Sequence, residues 1–250
     1  MWACFLPLAM PRLVQTSPVH EPSDDALMQA YALGEEAAFE RLYTRHQAGL
    51  YRFVRRLLGT ALAAQTDEVF QDTWMRVVQS RHRWVPQRPS GAESTPEGRD
   101  AADPDDPAPA GNASFRTWLF TVAHHRVVDL WRRSGREVVL DFGEEDPWEP
   151  AAGQGTAWQH WPAPASGTPA TDDLAFWRKA GTRLLTCLDE LPLPQRSTFL
   201  LHHDDGLPLE EVARAVGVGF ETAKTRLRYA MSKLRRCMGA YLTPHEGGWA

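Results

Sequence analysis

The segment Phe115–Arg133, FRTWLFTVAHHRVVDLWRR, constrains the chain more than any other stretch. It contains no Gly or Pro, and Ser114 before it is a good N-terminal cap, so it is predicted to be one long helix. On a 3.6-residue wheel Thr117, Thr121, His124, Val128 and Arg132 share one narrow face. Phe115, Trp118, Leu119, Val122, Ala123, Val127 and Leu130 spread over a wide arc elsewhere. A helix apolar around so much of its circumference has to be buried against others. From Ser114 to Arg136 five arginines (Arg116, Arg126, Arg132, Arg133 and Arg136) accompany a single acid, Asp129. An aromatic start and a cationic end suit a nucleic-acid strand, with rings stacking on bases and guanidinium groups meeting phosphates. A core helix with a solvated basic end has the same pattern.

Such a helix needs partners, and the flanking sequence supplies them in two groups. Ser23 caps a helix opening on Asp24 and Asp25, which Gly34 interrupts. From Glu35 the positions Phe39, Leu42, Tyr43, His46, Leu50, Phe53, Val54 and Leu57 repeat at three and four, a helix that Gly59 ends. Arg52, Arg55 and Arg56 decorate its outer side. Thr66 is predicted to cap TDEVFQDTWMRVVQS, with Val69, Phe70, Thr73, Trp74 and Val77 inward and Asp67, Glu68, Gln71 and Asp72 outward. That acidic face, among otherwise basic helices, suits a protein partner with a basic surface; a solvated helix face has the same composition.

Residues 86–113 are a different material: Pro, Asp, Gly and Ala with no aromatic and no large aliphatic side chain. Such a segment cannot bury enough surface to offset its ordering entropy, so it is predicted to be a disordered insertion within the first module. Residues 137–171 are predicted to be an unstructured acidic linker, and residues 1–22 a disordered tail. Charge follows this division. Glu137–Asp173 holds eight acids and no Lys or Arg, and Arg88–Ala113 holds six acids against two arginines. The formal net charge is −5, so everything outside those two segments sums to +7. The segments able to fold are basic, and the acidity sits in the others.

Beyond the linker, Leu174, Trp177, Leu184, Leu185 and Leu188 form one amphipathic helix. Pro192 and Pro194 punctuate, and Gln195–Asp204 is predicted to be the next helix, with Phe199, Leu200 and Leu201 inward. Leu209, Val212, Ala213 and Val216 then make a short helix, Gly217-Val218-Gly219 a tight turn, and Phe220 opens a long helix. This is the helix-turn-helix pattern. Ala223, Leu227, Ala230, Met231 and Leu234 face its core. Glu221, Lys224, Thr225 and Arg228 point outward at the end where a recognition helix reads base edges. Arg226, Lys233, Arg235 and Arg236 are placed to reach phosphates.

Two basic all-helical modules joined by an acidic linker, the second a helix-turn-helix, resemble a bacterial RNA polymerase sigma factor of the sigma-70 family, extracytoplasmic-function class. FERLYTRH, DEVFQDTWMRV and FRTWLFTVAHHRVVDLWRR are similar to consecutive parts of sigma region 2. LDELPLPQRSTFLL and LPLEEVARAVGVGFETAKTRLRYAMSKLR are similar to region 4. The resemblance implies an all-α fold of two small domains, residues 23–136 and 172–243. It implies that Asp67, Glu68, Gln71 and Asp72 dock on core polymerase. It implies that Arg116, Trp118, His125, Arg132 and Arg133 meet the melted −10 strand, and that Glu221, Lys224, Thr225, Arg226 and Arg228 bind the −35 duplex. Promoter DNA and an anti-sigma protein are the other partners it implies, and no cofactor. Two departures stand out. The insertion replaces the short loop that relatives use to help form the −10 pocket. His124-His125 stands where an Arg-Asn or Arg-His pair is common.

Rival readings differ in class. A helix-turn-helix regulator would bind promoter DNA without polymerase. An enzyme would use His125 and Asp129, or His202, His203, Asp204 and Asp205, as metal ligands; an ion pair between Asp129 and its arginine neighbours accounts for the first set more simply. Cys4, Cys187 and Cys237 are odd in number and far apart, which suggests neither a disulfide framework nor a zinc site and suits a reducing cytosol. The opening MWACFLPLAM lacks a basic flank, is short and is interrupted by Pro7, so it is expected to be a poor signal peptide and is too short to span a bilayer. A cytoplasmic, non-enzymatic protein is expected.

Overall fold

The computed structural model describes residues 21–84, 114–135 and 171–242. The predicted tail, insertion and acidic linker fall outside them, as do Cys4 and Arg136. Every element among the described residues is helical: α1 (Asp24–Ala32), α2 (Glu36–Leu58), α3 (Thr66–Ser80), α4 (Phe115–Arg133), α5 (Thr171–Asp189), α6 (Leu193–Phe199), α7 (Leu209–Ala215) and α8 (Phe220–Leu242).

Helices α1–α4 pack on one another around Met28, Leu42, Leu50, Phe53, Leu57, Phe115 and Leu119, all fully buried. Ser23 caps α1 by accepting from the Ala26 N–H at 3.2 Å. Its two acids do more than favour the first turn. Asp24 holds His46 at 2.8 Å and pairs with Arg45, both on α2. Asp25 accepts from the Phe115 N–H at 2.7 Å, satisfying one of the free donors that begin α4. An aromatic seam of Phe39, Tyr43, Phe70 and Trp74 joins α2 to α3, and Trp84 packs on Phe115 and Trp118 of α4.

Three local expectations are corrected. Thr66 does not cap α3 but is its first residue; a 3-10 stretch, Thr60–Gln65, precedes it, and its hydroxyl donates to the Ala63 carbonyl at 2.8 Å. The helix expected from Gln195 begins at Leu193, because Pro194 sits in the first turn, where its missing N–H costs nothing, and it closes in a π-helical turn over Leu200–Asp204. Leu185 is 48% exposed, while Ala180, Cys187 and Leu188 are the buried residues of α5.

Helices α5–α8 form the second group, α8 packing on α5, α6 and α7. Gly217 at φ +68° ends α7 and makes the turn into α8 as expected. Ala223, Ala230 and Leu234 are fully buried, with Leu227 packed beside them. The cysteine expectation is overturned here: Cys187 of α5 and Cys237 of α8 are disulfide-bonded, with Cα atoms 5.9 Å apart. Fifty residues separate them in sequence, but α5 lies along α8 and brings the two side chains together.

The two groups are not independent. Their buried apolar side chains form one contiguous cluster. Polar contacts cross the junction as well: the Thr60 N–H donates to Asp189 at 3.1 Å, and Arg196 donates to the Leu57 carbonyl at 3.3 Å. Gly59 permits this approach. Its φ is +65°, and a Cβ there would lie 2.5 Å from Asp189 Oδ1 and 2.6 Å from Arg196 Nη1.

Candidate nucleic-acid interface

Three surfaces follow from the helices just described. On α3, Asp67, Glu68, Gln71 and Asp72 are all exposed and share one face, as the i, i+3, i+4 spacing requires. Asp67 accepts from the Tyr51 hydroxyl at 3.0 Å, which holds its carboxylate against α2. Met75 extends the face. It is 54% exposed, one turn beyond Gln71 and Asp72, and was missed because a Met at helical spacing looks like a core residue.

On α4 the wheel sorts the five candidate strand contacts unevenly. Arg132 and Arg133 are exposed at the C-terminal end, with Arg132 3.7 Å from Asp129. His125 is partly buried, which pushes its pKa below the ordinary histidine value. Arg116 is partly buried and donates to the Asp205 carbonyl from α4 across to the second group. Trp118 departs from expectation. It is 3% exposed and packs on Trp84 and Phe115, so its ring belongs to the core of the first group.

On α8, Glu221, Lys224 and Arg228 are exposed on the outer side of the N-terminal half, Lys224 3.7 Å from Glu221. Arg228 lies over the Tyr229 ring at 5.4 Å. Thr225 and Arg226 are partly covered, and burial lowers the Arg226 pKa. Of the predicted phosphate contacts Arg236 is exposed, whereas Lys233 and Arg235 are half-buried.

The narrow polar face of α4 carries a feature that periodicity alone does not reveal. Thr117 and His124 are buried, at 1% and 6% exposure, because α7 packs on this face. Thr117 donates its hydroxyl to Glu211 of α7. Burial, reinforced by the charges of His125, Arg226 and Arg132, pushes the His124 pKa down to about 3. In the second group, burial and the neighbouring Asp204 push Asp205 up to about 8, with Arg116, Arg52 and Arg56 opposing. One Asp205 carboxylate oxygen is buried without a hydrogen-bond partner.

The two groups have opposite linkage. Asp205 has a folded pKa above its unfolded value. Its contribution to stability is therefore complete below about pH 4 and lost as pH rises to about 8. His124 has a folded pKa below its unfolded value, so its contribution is present above pH 6.5 and lost as pH falls toward 3. Asp205→Asn is accordingly expected to stabilise the chain at pH 7, by on the order of 2–3 kcal/mol. Thermal melts of both proteins between pH 4 and 9 should diverge progressively as pH rises. Parallel curves would place the Asp205 carboxyl in contact with water.

Comparison with known proteins follows the same division. The family model for sigma-70 region 2 matches residues 42–93, and that for sigma-70 region 4 matches residues 182–234. The chain thus carries regions 2 and 4 of the sigma-70 family, and its relatives are sigma factors of the extracytoplasmic-function class. The ECF RNA polymerase sigma factor SigK of Mycobacterium bovis (strain BCG / Pasteur 1173P2) is 27% identical over 231 residues, covering 89% of this chain and 98% of that protein. SigK of Mycobacterium ulcerans (strain Agy99) is 28% identical over 227 residues, covering 87% and 96%. The fold is similar to that of CnrH, solved in complex with the cytosolic domain of CnrY. The TM-score is 0.53 at 20% identity, over 87% of this chain and 97% of CnrH. Helix α4 lies outside both matched spans, beyond residues 86–113. None of its described helices is long and apolar enough to cross a membrane.

Proposed function

We propose that this sigma factor, which directs transcription initiation, divides the task among three of its helices. Residues 23–136, with the 86–113 insertion, act as region 2, residues 172–243 as region 4, and the acidic segment 137–171 as the tether between them. The α3 face of Asp67, Glu68, Gln71, Asp72 and Met75 docks on core RNA polymerase. Arg116, His125, Arg132 and Arg133 of α4 meet the −10 strand. Glu221, Lys224, Thr225, Arg226 and Arg228 of α8 engage the −35 duplex. The role is one of binding, with no catalytic group, in the cytoplasm where polymerase works and where an anti-sigma protein is the expected antagonist. The observation that carries this reading is α8: an outward polar triad, Glu221, Lys224 and Arg228, directly opposite a buried apolar seam.

Arg228 or Lys224 is suited to guanine O6 and N7, and Glu221 to a cytosine amino group. Losing one such contact costs about 1–3 kcal/mol and relaxes preference at a single base pair. Arg236, further along α8 and aimed at phosphate, should instead affect all sequences alike and reduce the salt dependence when removed. Selection of preferred −35 sequences by wild-type, Arg228→Ala and Arg236→Ala holoenzymes tests the assignment. An Arg228 variant that keeps the wild-type preference at every position would sink it.

A further inference from the structure

We infer that Phe220, the first residue of α8, reads the methyl group of a thymine in the −35 duplex and so sets the preference at one base pair. This deepens the reading of α8 given above and rests on it. Phe220 is 41% exposed, and no other large apolar side chain is exposed among the described residues of α6 to α8. It shares a stripe of the helix with Leu227, seven residues on, but not its packing. Leu227 lies against the apolar cluster that holds Ala230 and Leu234, and Phe220 has no place in that cluster. The approach to the ring is open, since a Cβ on the preceding Gly219 would meet no atom within 4 Å. Helical Cα–Cβ bonds tilt toward the N-terminus, which carries a side chain at the first position ahead of the segment that holds Glu221, Lys224 and Arg228.

The chemistry follows from what the polar triad leaves unread. Charged side chains meet the donors and acceptors on base edges, whereas the apolar feature of the major groove is the C5-methyl group of thymine. A ring laid on that methyl removes apolar surface of both from water. Lys224 is the i+4 neighbour of Phe220, so a protein surface seated on the ring would also cover a residue of the triad. A base edge seated there continues the triad instead. Phe220 precedes Arg228 by about 12 Å of helix at 1.5 Å per residue, more than three base-pair steps of about 3.4 Å, so the two side chains address different base pairs.

The test uses holoenzyme formed from core polymerase and the full chain, on duplexes carrying the −35 sequence that wild-type holoenzyme selects. Each thymine of that element is replaced in turn by deoxyuridine, which removes the methyl group and leaves base pairing intact. Wild-type holoenzyme should lose about fourfold in affinity at one position, the fold-change that corresponds to ~0.8 kcal/mol for one buried carbon group. Phe220→Ala should bind the thymine duplex about fourfold more weakly and be indifferent to uracil at that position. Phe220→Leu, which keeps an apolar contact, should retain the discrimination, and Arg228→Ala should retain it while relaxing a different base pair. A ring with only a structural role would weaken thymine and uracil duplexes alike when removed. That result would overturn the inference, as would a selected element without thymine, or binding by wild type that uracil never disturbs. A Phe220→Ala chain that core polymerase no longer captures would place the ring against polymerase and overturn it too. Wild-type holoenzyme with no −35 preference at any position would overturn the reading of α8 and this inference with it. A preference that Arg228→Ala relaxes but uracil leaves untouched would overturn this inference alone.

Discussion

Charge reversal at Asp67 and Asp72, as Asp67→Lys/Asp72→Lys, is expected to abolish holoenzyme formation while leaving the chain folded. Both carboxylates are exposed on the acidic face of α3, the proposed docking face. A complementary basic surface then meets two like charges, which costs several kcal/mol, and each 1.4 kcal/mol is tenfold in affinity. A loss of more than about 100-fold follows. The fold loses far less. Asp67 gives up its bond from Tyr51 and its place in the first turn of α3, where a lysine is unfavourable by about 0.3–1 kcal/mol. Asp72 makes no such contribution. Core-polymerase capture of the double variant, with its thermal melt alongside, separates the two effects. Normal capture would move the docking surface elsewhere, and Met75→Ala would then be expected to have no effect either.

The second large effect belongs to the disulfide. Cys187→Ala/Cys237→Ala, or reduction of the wild-type bond, is expected to destabilise α5–α8 by about 2–4 kcal/mol, the usual effect of freeing a loop of this length. The bond ties α5 to the C-terminal half of α8, whereas the residues proposed to read bases, Glu221 to Arg228, lie in the N-terminal half. Loss of the bond should therefore lower the melting temperature more than it alters −35 sequence preference. Denaturant titrations with and without reductant measure it directly.

Much of this molecule was legible in its sequence, for reasons that can be named. Helix existence was set locally. Ser23 and Ser114 do cap α1 and α4, Gly59 and Gly217 do end α2 and α7, and the three-and-four spacing of Leu42 to Leu57 does mark a buried face. The placement of Glu221, Lys224 and Arg228 on an exposed face was legible for the same reason, since the seam opposite them fixes the rotation of α8.

What sequence could not supply was long-range. Cys187 and Cys237 gave no spacing signal because helix packing, not a motif, brings them together. The burial of Thr117 and His124 could not be seen because the helix covering them is about ninety residues away, and short polar side chains are ordinarily solvated. Trp118 was misplaced for the converse reason. A Trp beside arginines fits a stacking platform and a core equally well, and only the positions of Trp84 and Phe115 decide between them. Asp204, Asp205 and Glu211 gave no sign of their role, since an acid near the end of a short helix is unremarkable until its partner is known.

The central claim is that this chain gives polymerase its promoter. A run-off transcription assay tests it most directly: core RNA polymerase alone, core with the wild-type chain, and core with Asp67→Lys/Asp72→Lys, on a template library carrying varied −35 and −10 elements. The account predicts promoter-specific transcripts with the wild-type chain and none with core alone or with Asp67→Lys/Asp72→Lys, and enriched templates sharing one −35 sequence whose preference relaxes at a single base pair when Arg228→Ala replaces the wild-type chain. Wild-type chain that binds duplex DNA in the same mixture yet yields no transcript would contradict it, and would point instead to a helix-turn-helix regulator acting without polymerase.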